Sequence, residues 1–153
     1  MNLENLQMMA DMLGEVIDGT WKGVPVNHKL KIGPVKLFPE RVNSFDIEQW
    51  ADVTDCGFSA CAVGHACFDK RFISQGLYMW DNVPVVRNEQ GIYDNWGAVS
   101  NLFGIEHDTA RTLFHEQHYK GYIKYGVQPK RVKQRVEELL ATSEAELVAK
   151  YPE

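Results

Sequence analysis

Four side chains in the segment 56–67 have the chemistry of zinc ligands. They are Cys56, Cys61, His65 and Cys67, and they include all three cysteines of the chain. Cys61 and His65 are four positions apart and would share one face of a helix. Cys67 lies six positions beyond Cys61, which turns it well away from that face. Because a tetrahedral site needs four converging ligands and a Cys-x2-Cys pair is missing, we favour buried thiols over a metal site and expect no cofactor.

Two other kinds of cysteine chemistry stay open from the sequence. A thiol near a helix N-terminus, as expected for Cys56, has a lowered pKa and could act as a nucleophile beside a histidine. No third member of a catalytic triad can be assigned. A Cys56–Cys61 disulfide would close a small ring, and a reducing compartment opposes it. We therefore regard an enzyme as the less favoured interpretation.

The same segment predicts a buried helix, roughly 57–69, at the centre of the domain. Its residues are mostly small: Ala60, Cys61, Ala62, Gly64, Ala66 and Cys67. A helix with little side-chain bulk lets neighbouring backbones approach closely. Gly64 costs roughly 1 kcal/mol relative to Ala inside a helix, so its presence favours close packing there.

The rest of the pattern predicts a mainly α fold with a small β component. Apolar residues at helical spacing predict a helix over 3–18 that ends at Gly19. Five more helices are expected, over 45–52 after a Ser44 cap, from Asp94 or Asn95 to Gly104, after Asp108, from Pro129, and after a capping box of Ser143 and Glu146.

Two segments depart from helical spacing. Helix breakers and short β-prone pieces over 20–38 predict an irregular arm or a weak hairpin. The range 77–93 predicts a β-hairpin around a turn at 88–91. Because Pro84 has no backbone N–H, we expect its strand at the edge of a sheet.

The two helices predicted over 95–118 form a helical hairpin. They resemble a DNA-binding helix-turn-helix in outline, but of the exposed positions at the start of the second helix only Arg111 suits base recognition. His115 and His118 are three apart, whereas metalloprotease histidines are four apart on a helix. We expect both histidines to be solvated and the hairpin to be a plain structural element.

Length and composition indicate a single domain spanning 1–153. The chain has 153 residues, of which 44% are hydrophobic and 24% charged, and both values are ordinary for a globular protein. No apolar run approaches the ~18 residues of a membrane span. The acidic N-terminus lacks the positive start of a secretory signal. We therefore expect a cytoplasmic protein without membrane contact.

A group of basic residues near the C-terminus suggests nucleic acid as an alternative partner. The candidates for phosphate contacts are Lys124, Lys130, Arg131, Lys133 and Arg135. The net charge of −5 argues against non-specific binding of this kind, because phosphate attraction supplies most of its affinity. A solvated helix face is the favoured interpretation.

Several short motifs resemble a group of small uncharacterised proteins of bacteria and their phages. The most specific match is Cys56-Gly57-x3-Cys61-x2-Gly64-His65-Ala66, where the group has Cys-Gly-Thr-x2-Cys-x2-Gly-His/Trp-Ala. Looser matches are Phe45-x4-Trp50, Gly76-Leu77, Leu102-Phe103-Gly104-Ile105, Leu113-Phe114 and Pro129-x2-Val132-x3-Val136. The chain departs at Phe58, where the group usually has Thr or Ser. The alternation of His and Trp at position 65 favours packing over metal binding.

The resemblance covers roughly 40–140 and implies a phage-encoded accessory protein in the host cytoplasm, with no established activity. Our interpretation is a non-enzymatic interaction protein that acts on another protein, a host protein if the chain is phage-encoded. Its candidate surfaces are the arm 20–38, the hairpin 77–93 and the basic C-terminal helix. The alternatives are a Cys/His metal or thiol site and a nucleic-acid-binding regulator. A homodimer through an exposed apolar helix face stays open.

Overall fold

The computed structural model describes residues 1–23, 43–45, 52–54, 57–81, 83–119 and 129–152, and these form a mainly helical fold with a small β component. Their elements are, in chain order, α1 (Leu3–Asp18), β1 (Asn43–Phe45), β2 (Asp52–Thr54), β3 (Gly57–Ala60), α2 (Ala62–Ala66), α3 (Lys70–Ile73), β4 (Leu77–Trp80), β5 (Val83–Asn88), β6 (Gly91–Asp94), α4 (Asn95–Phe103), α5 (His107–Phe114), a 3-10 turn (Glu116–His118), α6 (Pro129–Ala141) and α7 (Glu144–Lys150). The expected arm over 20–38 lies largely outside the described residues, as do Trp50, Cys56 and Lys124. None of the helices in the described part is long and apolar enough to cross a membrane.

The ends of α1 confirm the prediction from apolar spacing. The Asn2 side chain accepts a hydrogen bond of 3.0 Å from the Asn5 backbone N–H, which satisfies one amide of the first turn. Gly19 ends the helix at φ 75°, a left-handed conformation in which its N–H donates to carbonyls of the last turn. The inward face of α1 packs Leu6, Met9 and Leu13 into the core.

The central segment differs from the predicted helix over 57–69. Residues 57–60 form strand β3, which pairs in parallel with β1 and antiparallel with β2. Cys61 has an extended backbone, and its Sγ accepts a hydrogen bond of 3.5 Å from the Gly64 N–H. Cys61 is therefore the N-cap, and the small-residue helix is the short, buried α2.

Pairing with β3 also overrides the helix predicted over 45–52. Phe45 belongs to β1 and Asp52 to β2, so that prediction is wrong at both of its ends. Strand formation depends on long-range partners, which local helical spacing does not report.

The predicted hairpin over 77–93 is confirmed and carries one more strand. β5 and β6 form the hairpin, and β4 pairs with the other side of β5, which gives the antiparallel order β4–β5–β6. Leu77, Met79 and Val86 direct one face of this sheet into the core.

The expectation that Pro84 marks an edge strand is wrong, because β5 is the central strand. The Arg87 N–H donates to the Gly76 carbonyl on the β4 side, so the alternation of the ladder turns the nitrogen of Pro84 toward β6. Pairing with β6 begins only at Val85 and Asp94. Pro84 thus lies past the end of β6, where no donor is needed.

The C-terminal helices follow their predicted signals closely. Asp94 precedes α4, and Gly104 ends it at φ 60°. The N-cap of α5 is Glu106, so Asp108 lies inside the first turn instead of capping it. Ser143 accepts a hydrogen bond from the Glu146 N–H at the start of α7, as the capping box predicts. The hairpin of α4 and α5 packs Phe103 against Phe114.

Gly76 and Gly97 provide a matched test of this backbone. A Cβ on Gly76 would lie 2.0 Å from the Arg87 carbonyl oxygen at φ +93°, whereas a Cβ on Gly97 meets nothing within 4 Å. We expect Gly76→Ala to lower the free energy of unfolding by about 2–4 kcal/mol, through clash and backbone strain. We expect Gly97→Ala to raise it by about 0.5–1 kcal/mol. Urea denaturation of both variants measures this, and equal effects would contradict the assigned register.

Candidate functional site

The two described cysteines lie in the core. The exposed fraction is 2% for Cys61 and 0% for Cys67, and both are thiols. Burial raises the pKa of the Cys67 thiol well above its ordinary value, and the neighbouring Cys61 adds to the effect. Because the thiolate is the form that attacks substrates and binds metals, Cys67 is held in its unreactive state.

His65 is packed as part of the same core. Its Nδ1–H donates a hydrogen bond of 2.9 Å to the Cys61 carbonyl. The Trp21 ring meets the imidazole edge-on at 4.8 Å between centroids, and the Phe45 ring stacks at 6.0 Å. The imidazole therefore joins α2 to β1 and to the chain that follows α1.

The set of four possible zinc ligands is only partly placed by the structure. Cys61, His65 and Cys67 are buried on or beside α2, and Cys56 lies outside the described residues. Within the residues that are described, no group of three His, Cys, Asp or Glu side chains could hold a metal ion. The helix N-terminus expected beside Cys56 is wrong, because Gly57–Ala60 form β3 and α2 begins at Ala62.

A buried carboxylate beside α2 forms a cluster that the sequence analysis missed. We call Glu15, Trp21, Asp69 and Arg71 the Asp69 cluster. Trp21 Nε1–H donates to Asp69 Oδ2 at 3.0 Å, and Arg71 donates from its backbone N–H and Nε to Oδ1, both at 2.9 Å. Arg71 Nη2 lies 2.7 Å from Asp69 Oδ2 and 2.6 Å from Glu15 Oε2.

The hydrogen bonds of the Asp69 cluster keep the Asp69 carboxylate in its charged form. Burial by itself favours the neutral acid, but the hydrogen bonds from Arg71 and Trp21 outweigh it and lower the pKa of Asp69. The same contacts raise the pKa of Arg71. Because Asp69 caps α3 and Glu15 belongs to α1, the cluster ties the end of α1 to the helices that follow β3. The Asp-x-Arg spacing was visible in the sequence, whereas Trp21 lies 48 residues from Asp69.

The basic residues of α6 are divided between core and surface. Arg135 is only 4% exposed, and its guanidinium lies 3.6 Å and 3.9 Å from the ring centroids of Tyr119 and Tyr151. It donates hydrogen bonds of 2.7 Å and 2.6 Å to the carbonyls of Thr112 and His118. The predicted phosphate contact is therefore wrong for Arg135, which fixes the C-terminal helices to each other.

The other basic candidates have different surroundings. Lys130 is exposed, Lys133 forms an ion pair with Glu137, and Arg131 lies over the Tyr119 ring at 5.4 Å from its centroid. Lys124 lies outside the described residues. Nucleic-acid binding by these four residues stays a prediction.

The histidines after α5 also differ from expectation. His118 is buried, and its Nδ1–H donates to the Tyr151 carbonyl at 3.2 Å. The prediction of a solvated His118 is wrong because α7 and the residues after it cover this side of the chain. His115 is half-buried beside Trp96, with 5.6 Å between the ring centroids.

The face of the β4–β6 sheet directed away from the core carries two of the large exposed apolar side chains among the described residues, Trp80 and Ile92. Paired residues of an antiparallel sheet share a face, and successive residues alternate between faces. The registers Tyr78↔Val85, Trp80↔Val83 and Arg87↔Ile92 therefore place these side chains together, opposite the core residues. We define the outer sheet face by Tyr78, Trp80, Val83, Val85, Arg87, Ile92 and Asp94.

The outer sheet face exposes large apolar side chains on a rigid support. Trp80 is 46% exposed and Ile92 64%. Val85 lies between them in the central strand and is buried, although it does not belong to the core cluster. Because the opposite side of the sheet is fixed in the core, these side chains are held at defined positions.

A second surface feature is an open groove between α1 and α6. It has a volume of about 800 Å³ and is lined by Gly14, Ile17, Asp18, Lys130, Lys133, Gln134, Glu137, Glu138 and Ala141. Ile17 is 42% exposed at its edge.

Comparison with known proteins identifies no relative of this chain. No protein family, curated protein or solved structure matches the chain.

The charge of the Asp69 cluster predicts a pH-dependent stability. The folded pKa of Asp69 is lower than the unfolded value of about 3.9, so its contribution is complete above that value and is lost as the pH falls through the folded pKa. We expect Asp69→Asn to lower the free energy of unfolding at pH 7 by about 1–3 kcal/mol and to flatten its decline in acid. Denaturation at a series of pH values measures both. Glu89→Gln, an exposed change in the hairpin turn, is the control and should alter neither.

The placement of Arg135 gives a second test. We expect Arg135→Ala to lower the free energy of unfolding by about 2–4 kcal/mol, because two buried carbonyls lose their donors and two aromatic rings lose their cation. Lys130→Ala, on the exposed side of the same helix, should change it by less than about 0.5 kcal/mol. Thermal denaturation distinguishes them, and equal small effects would show that Arg135 is not a structural cation.

Proposed function

We propose that the protein is a non-enzymatic interaction module that binds another protein through the outer sheet face. The observation that carries the proposal is the exposure of Trp80 and Ile92 on one face of a sheet whose other face is buried. Tryptophan, tyrosine and arginine are enriched among the residues that dominate binding energy at protein interfaces, and this face contains one of each.

The positions of the side chains on the outer sheet face suit the binding of another protein. Trp80 and Ile92 lie at opposite corners of the face, with Val85 between them in the central strand. Arg87 and Asp94, both exposed, stand beside the apolar residues and offer one charge of each sign to a polar rim. An apolar centre with a polar rim is the usual composition of a specific interface.

The interior of the protein supports a role without catalysis. Cys61, His65, Cys67 and Asp69 have the side-chain types of a catalytic centre, but each is buried and hydrogen-bonded or packed within the core. A substrate would have to open the junction of α1, α2 and α3 to reach them. A surface function leaves this junction intact.

The proposal extends to the biological setting through the sequence resemblance. The Cys56–Ala66 motif resembles small proteins of bacteria and their phages, which supports a phage-encoded accessory protein that acts on a host protein. Its place of action would be the host cytoplasm. A Cys/His metal or thiol site is less favoured because the thiols of Cys61 and Cys67 are buried. A nucleic-acid-binding regulator is less favoured because Arg135, one of its candidate phosphate contacts, is buried.

Site-specific crosslinking tests the proposed surface. A photoreactive phenylalanine derivative is placed at position 80, and the protein is irradiated in lysate of a bacterial host. We expect one crosslinked partner that is displaced by excess unmodified protein. Protein carrying Trp80→Ala should compete about 30-fold to 1000-fold less well, the loss expected when a tryptophan that dominates the binding energy is truncated.

Leu3 provides the matched control. It is also a large apolar side chain, 55% exposed, but it lies in the first turn of α1. The same label at position 3 should not capture the partner, and Leu3→Ala protein should compete as well as the unmodified chain. Equal capture from both positions, or equal competition by Trp80→Ala protein, would refute the outer sheet face as the binding surface.

A further inference from the structure

The charges along α6 run in the order that a single helix disfavours. Lys130, Arg131 and Lys133 lie near the N-terminus of the helix, and Glu137 and Glu138 lie in its second half. There is no acidic residue in the first turn and no basic residue in the last. The helix dipole favours the opposite placement, with acids at the start and bases at the end. A neighbouring helix of opposite direction would offset this cost.

Contacts among the described residues explain this order only in part, and Arg131 lies over the Tyr119 ring. Lys133 pairs with Glu137 four positions later, but the lysine precedes the glutamate, which is the weaker orientation on a helix. Glu138 pairs with Lys150 and accepts hydrogen bonds from the Tyr151 hydroxyl, so its charge is used within the fold. Lys130 is exposed, and more than half of the Glu137 side chain is exposed.

The charged residues Lys130, Lys133, Glu137 and Glu138 of α6 also border the groove of about 800 Å³ beside α1. Gly14 and Ala141 are small residues along its wall, with the Lys133 side chain beside Gly14, and Ile17 is exposed at 42%. Helix packing needs small residues for close approach and an apolar contact besides charges. The groove has small residues and an apolar side chain, and it lies next to the basic first half and the acidic second half of α6.

We propose that this groove is filled by α6 of a second copy of the chain, running antiparallel to the first. An antiparallel helix brings the basic start of one α6 to the acidic half of the other, and the two helix dipoles then oppose each other favourably. When each Lys130 pairs with Glu137 of the other copy, the two-fold axis passes between Lys133 and Gln134. Each pair is formed twice, as the symmetry of such a dimer requires.

Ile17 gives the dimer its apolar part. In this arrangement the α6 helix that enters the groove lies against Ile17 of the opposite α1. Exposed ion pairs alone associate weakly and are screened by salt, so the charges chiefly select the antiparallel orientation. This surface is separate from the outer sheet face, so the proposal does not depend on the proposed function.

Charge reversal tests the dimer, because reversing both partners of an ion pair should restore what each single reversal removes. We expect sedimentation equilibrium of the full chain at low ionic strength to show a dimer, weakened at least about tenfold by added salt near 1 M. Lys130→Glu and Glu137→Lys should each weaken the dimer by about tenfold or more, because each places like charges at two symmetric positions. An equimolar mixture of these two variants should form a heterodimer. A chain carrying both substitutions should recover the original dissociation constant within about threefold.

Two measurements separate this result from misfolding. Lys130→Glu puts an acid in the first turn of α6, so its unfolding temperature should equal or exceed that of the original chain when both are measured at a protein concentration low enough to be monomeric. Lys70→Glu, a reversal of an exposed lysine in α3, should leave the dimer unchanged. A chain that is monomeric at low ionic strength, or a dimer indifferent to both single reversals, would overturn the proposal. A double variant that fails to recover would overturn the antiparallel pairing.

Discussion

The buried Asp69 carboxylate is the contact on which the arrangement around α2 depends. It receives hydrogen bonds from Trp21 and from Arg71, and Arg71 also reaches Glu15 on α1. A carboxylate with so little contact with water is stable only when donors replace its hydration. The Asp69 cluster therefore requires the chain after α1 to return to the start of α3. That return brings Trp21 against His65, which lies in the short helix between β3 and α3.

The core that results uses reactive residue types as packing material. Cys61 caps α2 with its sulfur, His65 donates to the Cys61 carbonyl, and Cys67 is a buried neutral thiol. The imidazole of His65 fills the space between the rings of Trp21 and Phe45. Function is consequently expected on the surface that this core supports.

The outer sheet face and the exposed face of α6, both formed by described residues, differ in chemistry. The outer sheet face is aromatic and apolar, and its side chains are fixed by a sheet whose other side is in the core. The face of α6 beside α1 is charged and polarised along the helix. The proposed partner would bind the first surface and the proposed second copy the second. Because no residue is shared between the two surfaces, the two proposed events would not compete.

Local chemistry in the sequence determined the elements whose signals lie within one turn. The Ser143 cap, the helix-ending glycines Gly19 and Gly104, and the turn at 88–91 all predicted elements that the structure contains. Tertiary structure alone decided that residues 57–60 are a strand, that β5 is central despite Pro84, and that Arg135 and His118 are buried. Those outcomes depend on partners distant in the chain, such as β1 for β3 and Tyr151 for Arg135. Spacing along one segment reports which face is apolar, but not which distant group covers it. In the segment 56–67 the small residues predicted burial. Only the tertiary structure decided that α2 begins after Cys61 and that the hydrogen bonds of Asp69 hold the residues that follow it.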